Sequence, residues 1–274
     1  MKSLILIADY CTDSLATTEA ILAIHRHAQI PCRTQSVASR PFNTIHTGFL
    51  LAQLTQHLSP IEAKNTVFFL NTDPRTHTIN ATKGAEGAPL VAAWLKNGII
   101  IITPNAGYCL SLVKNEIKKL SAVKVPADGS QFRSRDIFPK VVAAALKKSL
   151  SGSTLKPITL TTIPELPTGF MVFHNDNYGN IKTSLTLTDF AKLKLKWGDR
   201  VEINLNHKKS SAKVLPTIFA DGPGTLVLAP GSSGDPKNPY CELSWRFNGD
   251  PNKSAASIFN WPEPGTFIKI TPKK

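Results

Sequence analysis

Paired cysteines, long apolar runs and glycine-rich phosphate fingerprints are all missing from this chain of 274 residues. Its four cysteines, Cys11, Cys32, Cys109 and Cys241, form no CxxC pair and stand at no metal-like spacing from histidine. They read as free thiols of a reducing cytoplasm, which excludes a disulfide framework and a structural zinc. No stretch approaches the roughly 18 to 20 apolar residues of a membrane span. The short run Ser3–Ala8 is followed at once by Asp9, which makes it a buried first strand rather than a signal-peptide core. The expected location is therefore cytoplasmic, with no membrane partner. No GxGxxG follows that strand, so the dinucleotide fingerprint is excluded. Internal repeats and low-complexity tracts are also lacking.

Acidic residues are scarce: 19 carboxylates stand against 32 lysines and arginines, a formal net charge of +13. Such a balance first suggests nucleic acid. The lysines argue otherwise, coming in small groups (Lys118-Lys119, Lys147-Lys148, Lys208-Lys209, Lys273-Lys274) along the whole chain, with no basic stripe interleaved with aromatics. Most of this charge reads as solvated surface, and nucleic acid is not the expected partner. An anionic substrate or surface stays open.

What is present is a hydrophobic fraction of 42% arranged in two styles. Up to about residue 150, β-branched runs alternate with helical patterns: Leu4–Ala8, a helix over Leu15–Gln29, a second helical pattern over Pro41–Leu58, the strand Thr66–Leu70, then Ala88–Leu95, Gly98–Ile102, a helix over Leu110–Lys119 and another over Ile137–Leu146. That alternation predicts an α/β domain with a mostly parallel sheet flanked by helices over residues 1–152. Residues 153–168, rich in Ser, Thr and Pro, read as a linker. Residues 169–274 carry short strands separated by Gly, Pro, Asn and Asp, predicting an all-β barrel-like domain.

Two polar clusters follow buried strands in the first half. Asn71–His77 leaves the apolar run Val67–Leu70 and packs an acid, a base and an imidazole (Asp73, Arg75, His77) around Pro74. In open α/β sheets ligands sit outside the carboxyl ends of strands, so this cluster is a candidate site. Asp9 follows the first strand at a strand-to-helix turn, where a carboxylate is suited to a vicinal diol of ribose. Asp13 or Ser14 is placed to cap the helix that follows.

Several segments together resemble one family, the S-adenosylmethionine hydroxide adenosyltransferases and their halogenating relatives. Leu6–Ser14 (LIADYCTDS) is similar to the opening strand and Asp-rich turn. Pro41–Leu51 (PFNTIHTGFLL) and Thr66–Pro74 (TVFFLNTDP) resemble the approach to an Asp-Pro-Gly-Val-Gly turn. Thr103–Gly107 (TPNAG) resembles Pro-Asp-Asn-Gly. Phe132–Leu146 (FRSRDIFPKVVAAAL) is similar to Phe-His-Gly-Arg-Asp-Ile-Phe-Ala-Pro, and Asp176–Ser184 (DNYGNIKTS) to Asp-x-Phe-Gly-Asn-x-x-Thr-Asn. Ser232-Ser233-Gly234 and Cys241–Asn260 resemble the segment around the adenine. The segments occur in the family's order.

The resemblance implies an α/β domain, a barrel-like domain and a homotrimer with S-adenosylmethionine held between neighbouring subunits. The ligand is then a substrate, and no resident cofactor is implied. Asp9 would hold the ribose hydroxyls, with Asp13 and Asn105 in the same ligand-binding set. Asp176, Tyr178 and Asn180 would come from the adjacent subunit, and Ser233 would touch the adenine or methionine end. The same Asp176–Asn180 residues also suit a plain turn. Asp73 matches the family's water-activating acid. The glycine turn after it is gone, Arg75 stands closer than the family's arginine, and Arg133 occupies the histidine position. Arginine, with a pKa above 12, is no general base, although it attracts anions. His77 is the candidate replacement. The implied reaction is hydrolysis to adenosine and methionine, with halide as an alternative nucleophile. The opposing reading is a binding protein for S-adenosylmethionine or another nucleoside that has lost its water-activating group.

Overall fold

A computed structural model of the chain describes residues 1–72, 88–126 and 131–273. It divides into two compact units, Met1–Leu166 and Pro167–Lys274.

The first unit is built on β1 (Lys2–Ala8), α1 (Ser14–Ala28), β2 (Cys32–Ala38), α2 (Thr44–Gln56), α3 (Pro60–Ala63), β3 (Thr66–Asn71), β4 (Leu90–Leu95), β5 (Ile100–Pro104), β6 (Ile117–Val123), α4 (Arg133–Asp136), α5 (Phe138–Leu146) and β7 (Leu155–Pro157). The strands form one sheet in the order β2-β1-β3-β5-β4-β6-β7. Both faces are covered, which explains why the central strands are apolar throughout. Leu4, Leu6 and Ala8 of β1 pack with α1 and α5, whereas Ile5 and Ile7 pack on the α2 side.

The sheet is mixed, which corrects the mostly parallel expectation. β2, β1, β3 and β5 are parallel neighbours, but β4 runs antiparallel to both β5 and β6, and β6 antiparallel to β7. The cause is the tight link Lys96–Ile99. Leu95 N–H donates to Ile99 O at 2.9 Å and Gly98 N–H to Leu95 O at 3.0 Å, closing a hairpin around Gly98 at φ +96°. So short a connection joins only antiparallel strands.

Two further expectations change. Leu110–Lys119 is not one helix: a 3-10 turn over Ser111–Glu116 gives way to β6. The stretch 153–168 is not a free linker. It supplies edge strand β7, the fully buried Ile163, and carbonyls that accept from Asn105, Ser111 and Lys114.

The second unit contains β8 (Phe170–Asn175), β9 (Ile181–Thr186), α6 (Leu187–Lys192), β10 (Arg200–Leu205), β11 (Lys208–Val214), β12 (Leu226–Asp235), β13 (Asn238–Trp245), α7 (Ala255–Ile258) and β14 (Phe267–Pro272). The strands close into a barrel, β10-β11-β12-β13-β9-β8-β14, with β14 pairing back onto β10. The expected all-β architecture is present. Alternation produces it: in β9 and β10 every second residue is buried, and Val172, Ile181, Val201, Ile203, Leu228 and Leu243 belong to one core.

Candidate functional site

β1, β3 and β5 are parallel, so their carboxyl ends share one edge of the sheet. β4 begins at that edge too, since Leu90 pairs with Pro104 and Asn105 N–H donates to Pro89 O at 2.9 Å. Both described flanks of the segment 73–87 therefore stand at this edge. Asp73, Arg75 and His77 lie outside the described residues.

Asp9 opens a 3-10 turn, Asp9–Thr12, directly after β1. Its Oδ2 accepts from Phe42 N–H at 3.3 Å, tying the turn to the loop between β2 and α2. Ser39 N–H donates to Ala8 O at 3.0 Å, and the Ser39 hydroxyl meets that of Thr72 at 3.2 Å. Thr72 also meets the Thr47 hydroxyl of α2 at 2.7 Å. The ends of β1, β2 and β3 and the start of α2 are thus laced by short polar side chains. Asp13 serves as the N-cap of α1, its Oδ1 accepting from Leu15 N–H at 2.9 Å and Ala16 N–H at 3.3 Å, a structural use that the capping pattern foretells.

Sequence reasoning passed over His46. It is a buried imidazole in the first turn of α2, beneath the Asn43 cap. Its Nδ1 accepts from Arg40 N–H at 2.9 Å, so a neutral ring carries its proton on Nε2. A histidine inside PFNTIHTGFLL is visible as a residue, but nothing in the spacing tells it from a core histidine.

Asn71 at the end of β3 donates through Nδ2 to the Ser134 hydroxyl of α4, joining the end of β3 to the Phe132–Asp136 segment (FRSRD). Arg133 is half-buried there, its guanidinium carbon 4.9 Å from the centre of the Phe138 ring. Arg135 forks onto the Asp136 carboxylate at 2.7 and 3.0 Å and reaches Glu19 of α1 at 3.3 Å. Tyr10 packs edge-on against Phe132, with ring centres 5.3 Å apart. Burial pushes the Tyr10 phenol above its ordinary value, against an opposing pull from the Ser134 hydroxyl. Asn105, after β5, spends its amide N–H on Thr162 O at 3.1 Å.

In the second unit, Asp176, Tyr178 and Asn180 share the turn between β8 and β9. Both Asp176 oxygens are committed within it. Oδ1 accepts from the N–H groups of Tyr178 and Asn180, each at 2.9 Å, and Oδ2 from Asn180 Nδ2 at 2.9 Å. The turn reading describes Asp176 as it stands. Tyr178 is 86% exposed, so its ring is offered to whatever approaches. Ser233 is buried in β12 beside a register shift between Pro230 and Gly234. The exposed hydroxyl of the Ser232-Ser233 pair is that of Ser232, 3.3 Å from Lys182 Nζ, which also pairs with the buried Glu242 at 3.1 Å.

Among the described residues no group of three or more His, Cys, Asp or Glu is placed to hold a metal ion, and no helix is long and apolar enough to cross a membrane. No family model and no curated protein matches the chain. Solved structures do. The chain is similar to the crystal structure of an uncharacterized conserved protein from Thermotoga maritima, with 19% identity over 97% of this chain and 99% of that one, at a TM-score of 0.73. It is also similar to a conserved hypothetical protein from Thermus thermophilus, with 17% identity over 98% and 100% of the two chains, at a TM-score of 0.69. At these identities the shared property is the fold, an α/β unit followed by a β-barrel over the whole length.

Proposed function

We propose that the protein hydrolyses S-adenosylmethionine to adenosine and methionine. Water or hydroxide forms a bond to the ribose C5′, the C5′–sulfur bond breaks, and the bonding pair leaves with the neutral thioether of methionine. One proton from the attacking water goes to solvent. The sulfonium is already a good leaving group, so the protein's task is to align and desolvate the nucleophile opposite sulfur. The observation that carries the reading is the Asn71–Ser134 hydrogen bond. It links the strand that leads to Asp73 with the helix that begins at Arg133, the two segments to which the resemblance assigns nucleophile activation. Asp9, directly after β1 on the same edge, is the group to hold the ribose hydroxyls. Arg133 acts by attracting and orienting an anion rather than by taking a proton. Asp73, Arg75 and His77 keep the roles that the sequence suggests, and the assembly remains the implied homotrimer.

A second reading, a nucleoside-binding protein without turnover, is favoured by Arg133 standing on the Phe138 ring where an imidazole is wanted. Incubation of purified protein with S-adenosylmethionine across pH 6 to 9, followed by chromatography, separates the two. Equimolar adenosine and methionine above the spontaneous rate is the expected result, with Asp9→Ala raising KM and Arg133→Ala lowering kcat. Calorimetric binding without product establishes the second reading. Neither binding nor product overturns both.

A further inference from the structure

The lysines that look scattered in the sequence are gathered by the closure of the barrel. β10 lies between β11 and β14, and its register places Arg200 opposite Lys213, and Asn204 between Lys209 on one side and Lys269 on the other. Lys273 N–H donates to Arg200 O at 2.8 Å, which brings the end of the chain beside residue 200. Val201, Ile203 and Leu205 point into the core, so the alternate residues Arg200, Glu202 and Asn204 face out, and with them Lys209 and Lys213 of β11 and Phe267, Lys269 and Lys273 of β14. Five cations thus share one pleated wall with a single carboxylate, Glu202, which Lys209 meets at 3.3 Å. Asp221 reaches in from a loop to Lys213 at 3.1 Å. Arg200, Lys269 and Lys273 have no carboxylate within ion-pair distance among the described residues.

Within this basic wall stands an aromatic ring. Phe267 is 53% exposed, with one side over Gly169 and the other beside an open groove of about 390 Å³ that it shares with Asn204, His207 and Lys269. The Asn204 amide makes no hydrogen bond among the described residues. Unpaired cations, an exposed ring and an uncommitted amide on one flat strand surface are the components for tracking a phosphodiester backbone while a base stacks and is read. A duplex hides its base faces, whereas an anionic membrane surface would also attract basic side chains beside an exposed ring, so vesicles form one arm of the test.

We propose that this outer wall of the barrel, formed by β14, β10 and β11, is a docking surface for single-stranded nucleic acid. The proposal concerns the second unit alone and stands apart from S-adenosylmethionine hydrolysis.

Fluorescence anisotropy with a labelled 20-nucleotide oligothymidylate, on the full chain between 50 and 300 mM salt, tests it. The unaltered protein is expected to bind with a steep salt dependence. The triple reversal Arg200→Glu, Lys269→Glu, Lys273→Glu should weaken binding at least thirtyfold at 100 mM salt. It should also flatten the slope of log K against log salt by about 2, at roughly 0.7 per lost phosphate contact on a single strand. Phe267→Ala should weaken binding about tenfold with the slope unchanged. A control reversal of equal charge on exposed positions elsewhere, Lys194→Glu, Lys196→Glu, Lys237→Glu, should cost less than threefold. Equal losses in the two triple variants overturn the proposal. So does an unaffected Phe267→Ala variant, a preference for duplex DNA or phosphatidylserine vesicles over the oligonucleotide, or no binding at 50 mM salt.

Discussion

At Gly179 the chain has no choice of residue. Its φ is +75°, and a Cβ built there would overlap the Ser254 hydroxyl. Its carbonyl accepts from Ala256 N–H at 2.8 Å, holding the turn against α7, which Ser254 caps. Gly179→Ala therefore combines backbone strain with overpacking and should destabilise the protein by about 3 kcal/mol, read as a lower urea midpoint at unchanged m-value. The same turn shows why part of the candidate site was hard to read. Asp-Asn-Tyr-Gly-Asn suits a ligand loop and a self-bonded turn equally, because both need short polar side chains near a positive φ. Only the folded chain reveals that the Asp176 carboxylate accepts from its own loop. The place of Asp9 after β1 was legible for the opposite reason: a polar residue that ends a strand buried on both faces has few places to go. Ser233 was not, since alternation along β12 is interrupted by the shift between Pro230 and Gly234.

Edge elements were the least legible of the fold. β2 has the sequence CRTQSVA, with little apolar content, because it pairs only with β1 and its side chains are largely solvated. β6, IKKLSAV, is buried at its first, fourth, fifth and seventh positions, and with Val113 upstream this imitates helical spacing. β7 has three residues, below any periodicity threshold. The barrel itself was anticipated as a run of short strands, because alternation survives wherever one face meets the core and turns are marked by Gly, Pro and Asn. The stretch expected as a linker is the largest departure, and it makes a prediction. Ile163 is 1% exposed within the core on the α2 side of the sheet. Ile163→Ala should cost about 3 kcal/mol in denaturant unfolding, whereas a true linker position would tolerate it within about 0.5 kcal/mol.

Over the whole molecule, thiols buried in both units set an alkaline limit. Burial pushes Cys109 and Cys241 from an ordinary value of 9.0 up to about 12. As pH rises past 9 the unfolded chain ionises these thiols while the folded one does not. Their stabilisation is thus fully present below about pH 9 and is lost between there and pH 12, at up to about 1.4 kcal/mol per pH unit for each group. Tyr10, also raised by burial, adds to the loss above pH 10. Urea midpoints at pH 8 and 10.5 should show the fall, and a Cys109→Ala, Cys241→Ala double variant should show a shallower one. The two sheets also differ in how they end. The barrel closes strand on strand, whereas the first sheet stops at β2 and β7, each with one side of its backbone unpaired by any strand among the described residues. An open border is where a stray chain adds itself, and a closed ring offers none. If the protein is held for long periods near its melting point, fibre growth should begin at the β2 border, where Arg33 and the polar side chains around it are the natural deterrent.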